Sequence, residues 1–243
     1  MNNFLIRNVI KKKCNKVKKY EIKKDAIIYT DYFDKKFVAK KNNRYNDILN
    51  TYDYLKSRGF IYIPRLVFAN KDGYIYEYEI ETKMPKEQKI SDLIKMDALL
   101  HNKTVYYKDI SKDEIKEIYE KLNKKIDNTY LFYDDLINAI ESKKYASPGE
   151  YMLLRNCSAI FSCLNFSKHS LKMWYDIIIS KNKKREVFLH NNLDVSHIIR
   201  NNDNVLISWD NATVDLPIYD FIRLYKKDFD KYDFSELYKE YIK

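Results

Sequence analysis

The stretch Val187-Phe188-Leu189-His190-Asn191-Asn192-Leu193-Asp194-Val195-Ser196-His197, followed by Ile207-Ser208-Trp209-Asp210 and then by Leu216-Pro217-Ile218-Tyr219-Asp220-Phe221, decides how this chain is read. Glu186 to Leu189 and Val205 to Ser208 are short runs rich in β-branched and aromatic residues, which predicts two short strands. Polar residues follow each of them: His190, Asn192, Asp194 and His197 after the first, Ser208 and Asp210 in the second. Helices are expected to close the chain from Pro217 to Lys243.

Upstream, the chain changes character at Pro85. Before it, Lys16 to Ile22, Ala26 to Thr30 and Lys36 to Lys40 read as strands separated by charged turns. Residues 43–57 carry Ile48, Leu49, Tyr52 and Leu55 at helical spacing, and Gly59 follows as a C-terminal stop. Arg65 to Ala69 and Tyr74 to Ile80 read as two further strands joined by the turn Asn70-Lys71-Asp72-Gly73. After Pro85 the pattern is mostly helical. Ile90, Leu93, Ile94, Ala98 and His101 share one helix face. Ser111 to Glu114 and Ser147 to Glu150 are capping boxes, the second with Pro148 at the first helical position. Leu171, Trp174 and Ile178 form a stripe expected to be buried on the last long helix.

The quoted stretch resembles the core of the aminoglycoside phosphotransferase and choline kinase superfamily. In that superfamily a strand enters His-Gly-Asp-x-x-x-x-Asn, a hairpin follows, then Ile-Asp-Trp-Glu/Asp, and a Gly-Asp-Pro-x-x-Asp segment opens a helix. His190, Trp209, Pro217 and Asp220 fall on framework positions of that pattern. Phe37 to Lys40 resembles the strand carrying a phosphate-binding Lys, and Ala98 to His101 resembles the Ala-x-Leu-His helix of the second lobe. The resemblance implies an α+β, bilobal protein-kinase-like fold. A small β-rich lobe with one helix would occupy 1–82, and a larger, mainly helical lobe 83–243, with the catalytic loop in 187–221. The chain is similar also to the spore-coat-associated branch of that superfamily.

Phosphoryl transfer in such a site works by positioning and electrostatics: an Asp accepts the substrate hydroxyl proton, while an Asn and a second Asp hold Mg²⁺. By the resemblance those three positions hold Asn192, His197 and Ser208. An amide takes no proton near neutral pH, a hydroxyl is a poor ligand for a hard cation, and His suits softer metals. Residues 1–58 contain no Gly with which to cover phosphates. Lys40 can still contact a phosphate, but its usual helix Glu has no clear counterpart among Asn46, Asp47 and Asn50. The implied function is therefore a degenerate, pseudokinase-like protein that binds or scaffolds, with no resident cofactor or metal expected and ATP with Mg²⁺ a weak prospect. A divergent small-molecule phosphotransferase rescued by Asp194 or Asp210 is the enzyme alternative.

Each of these residues also has a plainer reading. His190 and Trp209 read as packed residues of the framework, Asp220 as an anchor for the loop backbone, and Asp194 and Asp210 as solvated or loop-stabilising carboxylates. His197 with Asp194 offers two metal ligands and lacks a third. Tyr74, Tyr76 and Tyr78 alternate onto one strand face, which fits a core better than a partner surface.

With 243 residues, 45% hydrophobic and 33% charged, the chain is globular in composition. A net charge of +10 raises the prospect of a nucleic-acid partner, and the densest basic run is Lys11 to Lys24. Lysines are spread along most of the chain, so a solvated strand surface is preferred there and nucleic acid is disfavoured. Cys14, Cys157 and Cys163 show no metal spacing and are odd in number, as in a reduced, cytoplasmic protein. No run reaches the roughly 18 residues of a membrane span, and no leader is visible at the start. The partner is left as an unidentified protein or small molecule.

Overall fold

The computed structural model describes residues 2–14, 16–42, 48–181, 183–201 and 203–242, with side chains described from Ile6 onward. In chain order the elements are α1 (Asn2–Lys13), β1 (Val17–Ile22), β2 (Ala26–Asp31), β3 (Lys36–Lys41), α2 (Ile48–Ser57), β4 (Leu66–Ala69), β5 (Gly73–Glu77) and α3 (Lys86–Thr104). There follow β6 (Tyr106–Asp109), α4 (Lys112–Glu141), α5 (Pro148–Ile178), β7 (Lys183–Leu189), β8 (Ile198–Arg200), β9 (Asn204–Leu206), β10 (Thr213–Asp215), α6 (Ile218–Asp228) and α7 (Phe234–Tyr241). Single 3-10 turns cover Val195–His197 and Trp209–Asn211. Internal packing divides the chain into two units, 1–106 with 185–243, and 107–184. The lobe boundary expected at 82/83 therefore lies inside the first unit.

In the first unit, β1, β2, β3, β5 and β4 form an antiparallel sheet in that order. Strand alternation gives the sheet two apolar faces. Ile27, Tyr29, Ala39 and Ile75 face one side, where Ile6, Val9 and Ile10 of α1 cover them. Val38, Tyr74 and Tyr76 face the other, joining α2, α3, Trp209 and the closing helices in the main core. The helix α1 departs from the strand-first expectation. Its three buried residues at i, i+3 and i+4 are an amphipathic signature, but only two apolar pieces flank it among lysines, and its helicity rests on burial against the sheet.

The helix expected over 43–57 is seen as α2 from Ile48; residues 43–47, including Asn46 and Asp47, lie outside the described residues. Gly59 ends α2 in a left-handed conformation, φ 71°. Its N–H donates to the Lys56 carbonyl and the Phe60 N–H to that of Leu55, both at 2.9 Å, which is the Schellman arrangement. Asn70 organises the β4–β5 turn by accepting from the Asp72 and Gly73 amides. The strand read over Tyr74 to Ile80 stops at Glu77. On α3 the buried set is wider than expected, because Asp97 is fully buried beside His101.

The second unit consists chiefly of the two long helices α4 and α5, each opened by the capping box read from the sequence. They run antiparallel: Tyr119 meets Tyr175 with ring centroids 4.5 Å apart, and Tyr130 meets Phe161 at 4.8 Å. Lys168 reaches Asp127 at 2.6 Å. Leu171, Trp174 and Ile178 are half-buried here rather than buried, since α5 shares its apolar face with a single neighbouring helix within the unit.

Candidate functional site

The framework of the loop after β7 is held by one carboxylate. Asp220, fully buried in the first turn of α6, accepts from the backbone N–H groups of His190 and Asn191, each at 2.7 Å. Asn191 takes a left-handed conformation, φ 59°, which turns the chain so that both amides point at Asp220. His190 is fully buried, with Nε2 2.8 Å from the Ile207 carbonyl and its ring edge-on to Trp209 at 4.7 Å. Burial pushes the imidazole down to about 4, so His190 is neutral and its Nε2–H donates. The Trp209 N–H donates to the Leu206 carbonyl at 2.7 Å, closing the turn that follows β9.

That framework presents its neighbours to a cavity of about 1080 Å³ within the first unit. Lys40, Asn192, His197, Ser208 and Asp210 all line it, between apolar patches from Ile28 and Val38 on one side and Ile199 and Ile207 on the other. Five of the six residues singled out in the sequence therefore converge. The sixth, Asp194, turns aside: it caps the 3-10 turn by accepting from the Ser196 N–H at 2.7 Å and pairs with Lys227 of α6.

Lys40 projects from β3 and is largely buried. Its ammonium pairs with Asp210 and lies 3.4 Å from the Ser208 hydroxyl. The other Asp210 oxygen accepts from the Tyr74 hydroxyl at 2.6 Å. Burial, reinforced by the Asp210 charge, raises Tyr74 well above the ordinary phenol range, so it stays a proton donor to that carboxylate. Ser208 sits at φ 70°, ψ 49°, a left-handed corner rather than the end of the strand expected there. This corner carries Asp210 into the cavity. His197 Nδ1 lies 2.7 Å from the Asn192 carbonyl, so Nδ1 is the protonated nitrogen. Burial lowers its basicity, leaving Nε2 with a free lone pair near neutral pH.

The β1–β2 turn, where a phosphate-covering loop would need glycine, places Lys23, Lys24 and Asp25 at the cavity instead. In the wider Lys11 to Lys24 run, Lys12 pairs with Asp72, Lys18 with Asp34 and Lys23 with Glu21, so acids interrupt the basic surface. Two residues matter here that the sequence reading did not assign to the site. Tyr74 carries no local signal beyond its strand position. Asp97 stands four residues before His101, a spacing that places both on one helix face.

No protein-family model matches the chain, and no curated protein matches it. Solved structures do. An aminoglycoside phosphotransferase from Alicyclobacillus acidocaldarius superposes with a TM-score of 0.68 at 13% identity, covering 97% of this chain and 75% of that one. The choline kinase of Streptococcus pneumoniae is aligned over 99% of this chain and 80% of its own length, at 13% identity and a TM-score of 0.49. The chain thus has the bilobal, kinase-like α+β fold. Among the described residues, no helix is long and apolar enough to cross a membrane.

Proposed function

We propose that this kinase-fold chain acts by binding a ligand or partner at the cavity around Lys40 and Asp210, and not by transferring phosphate. The observation that carries the reading is the state of the loop after β7. Asp220 holds its backbone as a catalytic loop requires, yet the side chain offered at the base position is the Asn192 amide. The nearest loop carboxylate, Asp194, is engaged by Lys227 and the Ser196 amide. Metal binding of the kinase kind is weakly supported, because His197 and Ser208 supply no anionic oxygen. A reduced, cytoplasmic setting fits the three unpaired cysteines.

One observation favours the enzyme reading: Asp210 faces the cavity, paired with Lys40. The assay that separates the two is release or transfer of the γ-phosphate from labelled ATP with Mg²⁺ or Mn²⁺, with and without hydroxyl acceptors. The binding reading expects no transfer above the buffer rate, and a nucleotide-induced thermal shift, if present, that is insensitive to EDTA. Transfer that disappears in Asp210→Ala overturns it.

A further inference from the structure

Along its 31 residues α5 carries charge only at Glu150, Arg155, Lys168, Lys172 and Asp176. Yet none of its residues, all of them described, is buried. A helix this apolar is ordinarily covered on most of its sides. The helix α4 covers one of them: Phe161, Lys168 and Tyr175 meet Tyr130, Asp127 and Tyr119.

On the opposite side, about half a turn round the helix, a second pattern runs along α5. Met152, Ala159, Phe166 and Met173 recur every seven residues, and Asn156, Cys163, Ser170 and Ile177 each follow one of them by four. That alternation of four and three is the spacing of a coiled-coil seam, held here for nearly four heptads with no charged residue in it. Met152, Phe166, Met173 and Ile177 are 66%, 72%, 52% and 53% exposed. Large apolar side chains left this open along one seam mark an interaction surface.

The seam is complementary to itself. Two copies of α5 can lie antiparallel about a two-fold axis between Cys163 and Phe166. Cys163 then faces Phe166 of the second copy, Ala159 faces Ser170, Asn156 faces Met173 and Met152 faces Ile177. The largest central side chain thus meets a small one. Charge fits the same register. Arg155 and Asp176, both exposed, flank the seam on one edge near its two ends, so each Arg155 lies beside Asp176 of the second copy. On the other edge Leu153 comes beside Trp174 of the second copy, both half-buried in the single chain. A parallel, in-register pair would instead set Arg155 beside Ile160 and stack Phe166 on itself.

We propose that α5 is a dimerisation helix, through which two copies of this chain pair antiparallel along the face formed within 152–177. The occupant is a second copy because the apolar layers and the end charges find their complements within the same helix. This surface lies wholly within residues 107–184 and does not depend on the function proposed for the cavity around Lys40 and Asp210.

Sedimentation equilibrium of the full chain over about 1–100 µM reads the association directly. A monomer–dimer equilibrium is expected. Phe166→Glu should raise its dissociation constant about 100-fold, since each dimer loses two such side chains. Phe166 is mostly exposed in the single chain, so the variant should fold, which far-UV circular dichroism checks. Arg155→Asp and Asp176→Arg should each weaken the dimer about 10-fold, and the double exchange should restore it. That rescue is specific to the antiparallel order, and it decides should Phe166→Glu fail to fold. A wild-type chain that stays monomeric over this range overturns the proposal, whether another part of the chain, a lipid surface or a different protein then covers the face. So does a dimer indifferent to Phe166→Glu, or a double exchange that associates no better than the single ones.

Discussion

Lys40 on β3 and Asp210 on the turn after β9 are ion-paired across 170 residues of sequence, and the pair fixes the sheet's inner face against the loop that follows β7. Both side chains are mostly buried, and Tyr74 secures the second carboxylate oxygen. Each of Lys40→Met and Asp210→Asn alone is expected to lower stability by about 2–4 kcal/mol, because it leaves the other, mostly buried charge without its counter-ion. The double variant recovers much of that loss. Chemical denaturation of the four species in a double-mutant cycle measures the coupling.

His190 makes stability depend on pH. Its folded value of about 4 lies below the ordinary 6.5, so the unfolded chain binds the proton first. Stability is complete above about pH 6.5, falls as pH drops toward 4 and is flat below that for this group, a loss of about 3 kcal/mol in total. His190→Gln should remove this segment of the pH–stability curve, followed by denaturant melts at closely spaced pH values. An unaltered slope in the variant would assign the effect to another group.

Gly73 opens β5 where a methyl group has no room. A Cβ there would stand 2.3 Å from the Lys40 carbonyl oxygen and 3.1 Å from Val9. Gly73→Ala therefore forces β3 and β5 apart and should cost about 1–3 kcal/mol. Gly149, in the first turn of α5, has open space around its Cβ direction. Gly149→Ala should be stabilising by about 0.5 kcal/mol, since Ala loses less backbone entropy in a helix. Thermal melts of the two variants should move in opposite directions.

The α5 capping box responds to acid locally. Lys143 and the Ser147 backbone and hydroxyl hold the Glu150 carboxyl down to about 2 from 4.5. The cap is intact above about pH 4.5 and is lost as pH falls through about 2. Protection of the amides of residues 149–151, taken relative to the intrinsic exchange rate at each pH, should fall over that window. In Ser147→Ala the same amides should already exchange faster at neutral pH, with helix stability reduced by about 1 kcal/mol.

Much of the fold was legible. Strands β1 to β5 alternate or run apolar with β-branched and aromatic residues, Gly59 and the two serine-led boxes mark helix ends by local chemistry, and the spacing from His190 to Asp220 resembles a kinase core. Such signals are local or periodic, so a single chain carries them. The helix α1 was missed because Ile6, Val9 and Ile10 sit among lysines and gain their helical state from a sheet face formed by residues far along the chain. The buried status of Asp97 was missed for a related reason. A carboxylate on a helix reads as solvated until α6 arrives beside it with Asp220.

What the sequence by itself determined is the order of elements and the residue types at the kinase-like positions: an amide at Asn192, an imidazole at His197, a hydroxyl at Ser208. Those identities need no coordinates, because the chemistry of each side chain is intrinsic. Only the tertiary structure decided which of two neighbouring carboxylates counts. Asp194 and Asp210 are equivalent in the sequence, but Lys227 draws one away while the left-handed corner at Ser208 turns the other toward Lys40. Direction in an irregular loop follows from backbone conformation and from partners distant in sequence, and neither is written in the local pattern.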